Sequence, residues 1–381
     1  MTLLDQLDAS VADVEQVVVR RHLTLALVVE LPDGTPLGPL RDFGDGTDLQ
    51  VSVEPVDSTP TELRLGVVVT VIARQLTPAD LAAVADVIAG VGGNIDRILR
   101  LSRYPVFSYE LTVSGAGIDE LRVELVETAR RRNLDIAIQH DGLGRRSQRL
   151  VVLDVDSTLI RNEVIELLAA EAGCEEQVAA ITTAAMAGEL DFEAALRERV
   201  RLLAGLDELA MARARSHLRL SPGARTFIRT LRRLGFRIAI VSGGFTYFTD
   251  HLRHQLDIDH AFANELEIVN GRLTGELVGP VVDRGRKAVL LREVADVEGI
   301  PLDQTVAVGD GANDLDMLAA AGLGIAFNAK PIVRDAADTS LSVPYLDAIL
   351  FVLGVRRSEV EAADAADHFD RYDPELDDLL D

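Results

Sequence analysis

The pattern of hydrophobic and polar positions changes character along this chain, and each change marks a different kind of element. From Arg64 to Gln139 short aliphatic runs alternate with amphipathic stretches in the order strand, helix, strand, strand, helix, strand. The runs Leu65–Ala73, Ile95–Leu101, Val106–Val113 and Leu134–Ile138 read as strands. Helices are predicted near Pro78–Val91, with Pro78 suited to a first helical turn after Thr77, and near Ile118–Arg132. This is the order of a ferredoxin-like α+β unit.

Residues 1–57 look like a second copy of that unit without its first strand. Asp13-Val14-Glu15-Gln16-Val17 parallels Asn94-Ile95-Asp96-Arg97-Ile98, and Leu49–Val53 parallels Leu134–Ile138. The first strand is central in such a fold, so a shortened copy must borrow a strand, pair with another chain or begin further upstream. Together the two units, 1–57 and 63–140, resemble ACT domains, and Gly92-Gly93-Asn94-Ile95-Asp96 is similar to that family's turn into its second strand. The first loop, Arg74-Gln75-Leu76-Thr77-Pro78, lacks the Asp-x-Pro-Gly often found there. The incomplete first repeat and its exposed strand edges predict a homodimer through this region, and the resemblance implies an amino-acid effector such as serine, against the plainer alternative of a dimerisation module without ligand.

Past a polar link, Asp141–Ser147, the strands become nearly continuous apolar runs: Arg149–Leu153, Arg237–Val241 and Thr305–Val308. Such runs suit parallel strands buried on both faces, with amphipathic helices such as 223–235 and 286–298 between them. Residues 149–355 are therefore expected to form an α/β doubly wound parallel sheet, whose ligands sit at the carboxyl ends of the strands. The helical stretch at about 163–220 is too long for a crossover and reads as an inserted cap. Asn270-Gly271, between two alternating segments, predicts a tight hairpin. Residues 356–381 read as an acidic tail, a helix followed by a solvated end.

A length of 381 residues predicts two or three domains, and 48% hydrophobic residues supply ample core. The formal charge of −24 argues against nucleic acid and anionic membranes as partners. Cys174 stands alone, so no disulfide framework is expected, and a Cys-x5-Arg phosphatase loop would need arginine where Ala180 stands. The acidic N-terminus is unlike a signal peptide and no apolar run reaches the roughly 18 residues of a membrane span, so a cytoplasmic location is expected.

The strand ends carry the candidate chemistry. Asp154-Val155-Asp156-Ser157-Thr158 offers two carboxylates one residue apart, so that one can attack while the other moves a proton. Ser242-Gly243-Gly244 offers a hydroxyl and amides to an anion, and Gly309-Asp310-Gly311-Ala312-Asn313-Asp314 is an acidic turn. A dinucleotide loop would need glycine where Asp314 stands. In this order, with Lys287 and a cap in the right interval, the motifs resemble the haloacid dehalogenase-like superfamily, and over 149–345 its phosphoserine phosphatases.

That resemblance implies hydrolysis of phosphoserine through an aspartyl-phosphate at the last step of serine biosynthesis. Asp154 would be the nucleophile and Asp156 the acid and base; Mg²⁺ would be held by Asp154, the main-chain carbonyl of Asp156, and Asp310. Ser242, Gly243, Lys287 and Asn313 would hold the phosphate, Glu163 the substrate ammonium and Arg199 its carboxylate, with Met186 and Phe192 closing the pocket. The alternatives are a related phosphomonoesterase or phosphotransferase, and an inactive amino-acid-sensing protein.

Overall fold

The computed structural model describes residues 2–19, 22–45, 49–56, 66–186 and 190–367. The chain divides into two compact units, Met1–Leu63 and Arg64–Asp381. In the first, β1 (Ser10–Val19) and β2 (His22–Glu30) form an antiparallel hairpin, a sheet of two strands. Its aliphatic side chains are largely exposed, among them Val14, Val18 and Leu23 at 58% each. The strand expected at Leu49–Val53 does not form: residues 49–56 are irregular.

The second unit opens with a four-stranded antiparallel sheet in the order β4-β5-β3-β6, built from β3 (Val67–Ala73), β4 (Asn94–Ser102), β5 (Phe107–Ser114) and β6 (Asp135–His140). Helices Pro78–Gly90 and Ile118–Arg132 pack on it through Val84, Ile88, Leu121 and Leu125, as the periodicity predicts. Thr77 and Asp80 cap the first helix reciprocally, and Asn133 ends the second in a left-handed conformation.

The larger sheet follows, with β7 (Leu150–Leu153), β8 (Arg237–Phe245), β9 (His260–Val269), β10 (Arg272–Val278), β11 (Thr305–Gly309), β12 (Leu323–Phe327) and β13 (Thr339–Leu341) in the order β10-β9-β8-β7-β11-β12-β13. All neighbours are parallel except the β9–β10 hairpin, whose turn residues Asn270 and Gly271 both have positive φ. Strands β7, β11 and β12 are buried throughout, which explains their uninterrupted apolar runs. Helices Val164–Ala172, Glu175–Met186, Phe192–Arg201 and Glu208–Ser216 fill the interval between β7 and β8.

Two polar expectations change. The link at Asp141–Ser147 contains a short helix, Leu143–Arg146, and Arg145 points inward to Glu110 at 2.6 Å, Gln139 at 2.8 Å and the Val352 carbonyl at 3.2 Å. Asp135 at the start of β6 likewise accepts hydrogen bonds from the Ser342 amide and hydroxyl, both at 2.8 Å, and burial raises its pKa. These contacts bind the four-stranded sheet to the larger one. At the other end the expected helix forms over Arg357–Ala366, and it is anchored: Asp364 is buried between Arg229 at 2.9 Å and Arg233 at 2.5 Å. The acidic residues beyond Asp367 lie outside the described residues.

Arg145 and Glu110 are 8% and 16% exposed along their side chains, so removing one leaves a shielded charge unpaired. Arg145→Met is expected to lower stability in urea denaturation by about 3 kcal/mol, and adding Glu110→Gln should recover more than half of the loss.

Candidate active site

Parallel pairing places the carboxyl ends of β7, β8 and β11 side by side, and each ends in the residues singled out above. The Asp154 amide still donates to the Val308 carbonyl at 2.9 Å, which holds this residue against β11 after β7 has ended. The chain then turns sharply through Val155–Leu159, with Ser157 in the left-handed region at φ 57°. This turn separates the two carboxylates. Asp154 faces Lys287, whereas Asp156 accepts from the Val164 amide at 2.7 Å and the Ser242 hydroxyl at 2.8 Å.

Lys287 comes from the first turn of helix Arg284–Glu298, whose N-cap is Asp283. Its ammonium is buried and donates to Asp154 at 2.6 Å and Asp314 at 2.7 Å. Those two carboxylates hold it charged, raising its pKa in spite of burial. Asp314 in turn accepts from the Asp310 and Gly311 amides, at 3.2 and 3.0 Å, which folds the acidic turn around it. Gly309 is required by this turn: a Cβ there would lie 2.5 Å from the Asp314 carboxyl carbon. The acidic motif by itself gives Asp314 no task; only the position of Lys287 in space reveals one.

The site is rich in negative charge. Asp154, Asp310 and Asp314 offer oxygens that lie within 4.8 Å of one another, and Thr158 donates to Asp310 at 3.2 Å. Burial, followed by the Asp314 charge, pushes Asp154 well above the usual carboxylate range. The same two causes raise Asp310 to about 6. Loss of solvent and then the Asp156 charge raise Glu163 to about 7, with Ser157 donating to it at 2.8 Å. Such a set of oxygen ligands, short of positive charge, is compatible with a hard divalent cation. The side chain of Asp156 is not one of these three and is held by the Val164 amide and the Ser242 hydroxyl.

A cavity of about 510 Å³ opens over these groups. Asp154, Asp156, Glu163, Arg199, Gly243, Asp310 and Asn313 all line it, so the predicted residues converge from five segments of chain. Ser242 and Lys287 stand behind the wall, fully buried. Among the three arginines of the Phe192–Arg201 helix, Arg197 pairs with Glu193 and Arg201 faces solvent, but Arg199 turns inward. It donates to the Ala195 carbonyl at 3.2 Å and the Thr182 hydroxyl at 3.4 Å, and burial lowers its pKa while Glu163 and Asp156 oppose the change. Phe192 lies over Gly243, where an added Cβ would be 3.4 Å from its ring. The Met186 side chain lies outside the described residues.

Comparison with known proteins agrees with this geometry. Residues 151–319 match the haloacid dehalogenase-like hydrolase family, and residues 66–139 match the ACT domain. The phosphoserine phosphatase of Streptomyces coelicolor is 54% identical over 93% of this chain and 88% of its own. Phosphoserine phosphatase SerB2 of Mycobacterium tuberculosis is 50% identical over 96% of this chain and 91% of its own. A solved structure described as a phospho-aspartyl intermediate analogue of phosphoserine phosphatase aligns with a TM-score of 0.51 and 43% identity, covering 54% of this chain and 98% of that one. With a capped, acid-rich site on a haloacid dehalogenase-like sheet and this identity over nearly its full length, the chain belongs to the phosphoserine phosphatase family of enzymes.

Proposed function

We propose that the enzyme hydrolyses O-phospho-L-serine to L-serine and inorganic phosphate through an aspartyl-phosphate on Asp154, as the last step of serine biosynthesis. One observation carries this reading. Two adjacent carboxylates are separated into different environments, Asp154 against the Lys287 ammonium at 2.6 Å and Asp156 between the Ser242 hydroxyl and the Val164 amide. An Asp154 oxygen attacks phosphorus, the bond from phosphorus to the serine oxygen breaks, and Asp156 gives that oxygen its proton. Water then attacks the same phosphorus, Asp156 takes up its proton, and the bond to Asp154 breaks to release phosphate.

Lys287 offsets the negative charge of nucleophile and phosphate together. The Gly243 amide and Asn313 reach the phosphate from the cavity wall, and Ser242 joins them when its hydroxyl turns from Asp156. Asp154, Asp310 and the Asp156 main-chain carbonyl would hold Mg²⁺, with Asp314 supporting the turn that carries Asp310. When bound, this ion withdraws charge from the phosphoryl oxygens and from the acidic cluster. Asp154→Asn is expected to reduce kcat by at least about 10⁴-fold with the fold intact by circular dichroism, and Asp156→Asn should retain Mg²⁺ binding while losing turnover. Phosphate release near the wild-type rate from either variant would remove the corresponding role.

Glu163 and Arg199, both lining the cavity, fit the ammonium and carboxylate of a phosphorylated amino acid. Since Glu163 is protonated below about 7, ammonium binding should weaken as pH falls, and KM for phosphoserine should rise from pH 8 to 6. The substrate phosphate also titrates near this range, but Glu163→Gln keeps that contribution and loses the rest of the slope. Arg199→Ala should cost roughly a hundredfold in kcat/KM for phosphoserine and little for phosphoethanolamine, which has no carboxylate. Equal losses for both substrates would return Arg199 to a structural role.

The reading extends to a cytoplasmic homodimer joined through the ACT-type units, with serine as effector. The exposed aliphatic surface of the two-stranded β1–β2 sheet supports the dimer, and the ACT-domain match over residues 66–139 supports an amino-acid effector. Light scattering of the full chain should give twice the monomer mass, and a monomer at micromolar concentration would end the proposal.

A further inference from the structure

Strand β8 does not pair evenly with β9. Val241 is opposite Phe262 and Phe245 is opposite Asn264, so four steps along β8 match two along β9. Ser242-Gly243-Gly244 is the part of β8 that bulges out of the ladder, and its carbonyls lose the partners that a regular parallel strand would give them. The Asn264 side chain supplies the replacement. Only 2% exposed, it donates from Nδ2 to the Gly243 carbonyl at 2.8 Å and to the Gly244 carbonyl at 3.2 Å. Its Oδ1 accepts from the Val282 amide at 2.8 Å, two residues before the helix that carries Lys287.

We infer that Asn264 is a positioning residue for phosphate binding, tying the Ser242–Gly244 bulge and the start of the Lys287 helix to one rigid amide. The effect passes through a single peptide group. Holding the Gly243 carbonyl fixes the plane of the Gly243–Gly244 peptide, whose N–H donates to Ser242 Oγ at 2.7 Å. That places the Ser242 hydroxyl, 2.8 Å from Asp156, and turns Gly243 towards the cavity. A side chain at Gly244 would crowd this arrangement, since a Cβ would stand 3.0 Å from both Asp156 Oδ2 and Ser242 Oγ. Asn264 itself does not line the cavity. The acidic cluster of Asp154, Asp310 and Asp314 receives no bond from it, so phosphate affinity and cation affinity should separate on its removal.

The inference rests on the phosphatase reading, and a binding measurement keeps the two distinguishable. Calorimetric titration of the full chain with inorganic phosphate, in saturating Mg²⁺, reads the site without catalysis; a separate titration reads Mg²⁺ alone. Asn264→Ala is expected to bind phosphate about tenfold more weakly and Mg²⁺ within about twofold of wild type. If the alanine variant does not fold, Asn264→Asp keeps the size and the acceptor for Val282 but presents an acceptor to two carbonyls, and the same separation is expected. Equal loss of both affinities would make Asn264 merely structural, and unchanged phosphate binding would overturn the inference. A wild-type protein that binds phosphate yet hydrolyses no phosphate ester would refute the proposed function and leave this test standing.

Discussion

The buried contact between the Lys287 ammonium and the carboxylates of Asp154 and Asp314 is the constraint on which the site depends. An ammonium removed from water is costly unless its partners are close and well oriented. Here two carboxylates meet it at 2.6 and 2.7 Å, and they come from the ends of different segments, β7 and the turn after β11. Satisfying one lysine therefore fixes two strand ends and the first turn of a helix together. Burial first, and neighbouring carboxylates second, raise Asp154, Asp310 and Glu163, so an excess of negative charge remains in a shielded place. A doubly charged cation beside Asp154 and Asp310 would answer that excess, which is why the acidic cluster and the lysine belong to one electrostatic design.

The surrounding architecture serves this arrangement. Placing β7 between β8 and β11 brings the Asp154 turn between the Ser242–Gly244 bulge and the Asp310 turn. Glycines occur where backbone and carboxylate approach too closely for a Cβ, as at Gly309 beside Asp314. The helices between β7 and β8 then add Arg199 and Phe192 to the cavity lining, on a layer separate from the strand ends. The four-stranded sheet is fastened at Ser342 and Val343 through Asp135, just before Pro344 and Tyr345, which border a second cavity reaching Asp310.

Much of this was legible in the sequence because burial on both faces leaves a local mark. The apolar runs gave β7, β8 and β11 directly, and Asn270-Gly271 gave the β9–β10 hairpin because a two-residue turn needs positive φ at both positions. Long-range polar pairing leaves no such mark. Arg145 reads as part of a polar link until Glu110 and Val352 are seen to enclose it, and Asp314 reads as one acid among several until Lys287 arrives from 27 residues away. Arg199 is indistinguishable from its neighbours Arg197 and Arg201 by pattern, and only resemblance singled it out before the cavity did. The strand expected at Leu49–Val53 did not form, since a short aliphatic run without a paired neighbour has nothing to make it a strand.

The central claim is that phosphate passes through a covalent bond to Asp154, and chemical trapping tests it most directly. Wild-type enzyme is mixed with phosphoserine and Mg²⁺, quenched in acid within one turnover and reduced with borohydride, which converts an aspartyl-phosphate into homoserine. Peptide mass spectrometry should then find homoserine at position 154 and unmodified aspartate at 156, 310 and 314. Homoserine at any of those other positions, or intact Asp154 under conditions in which phosphate release is observed, would contradict the account.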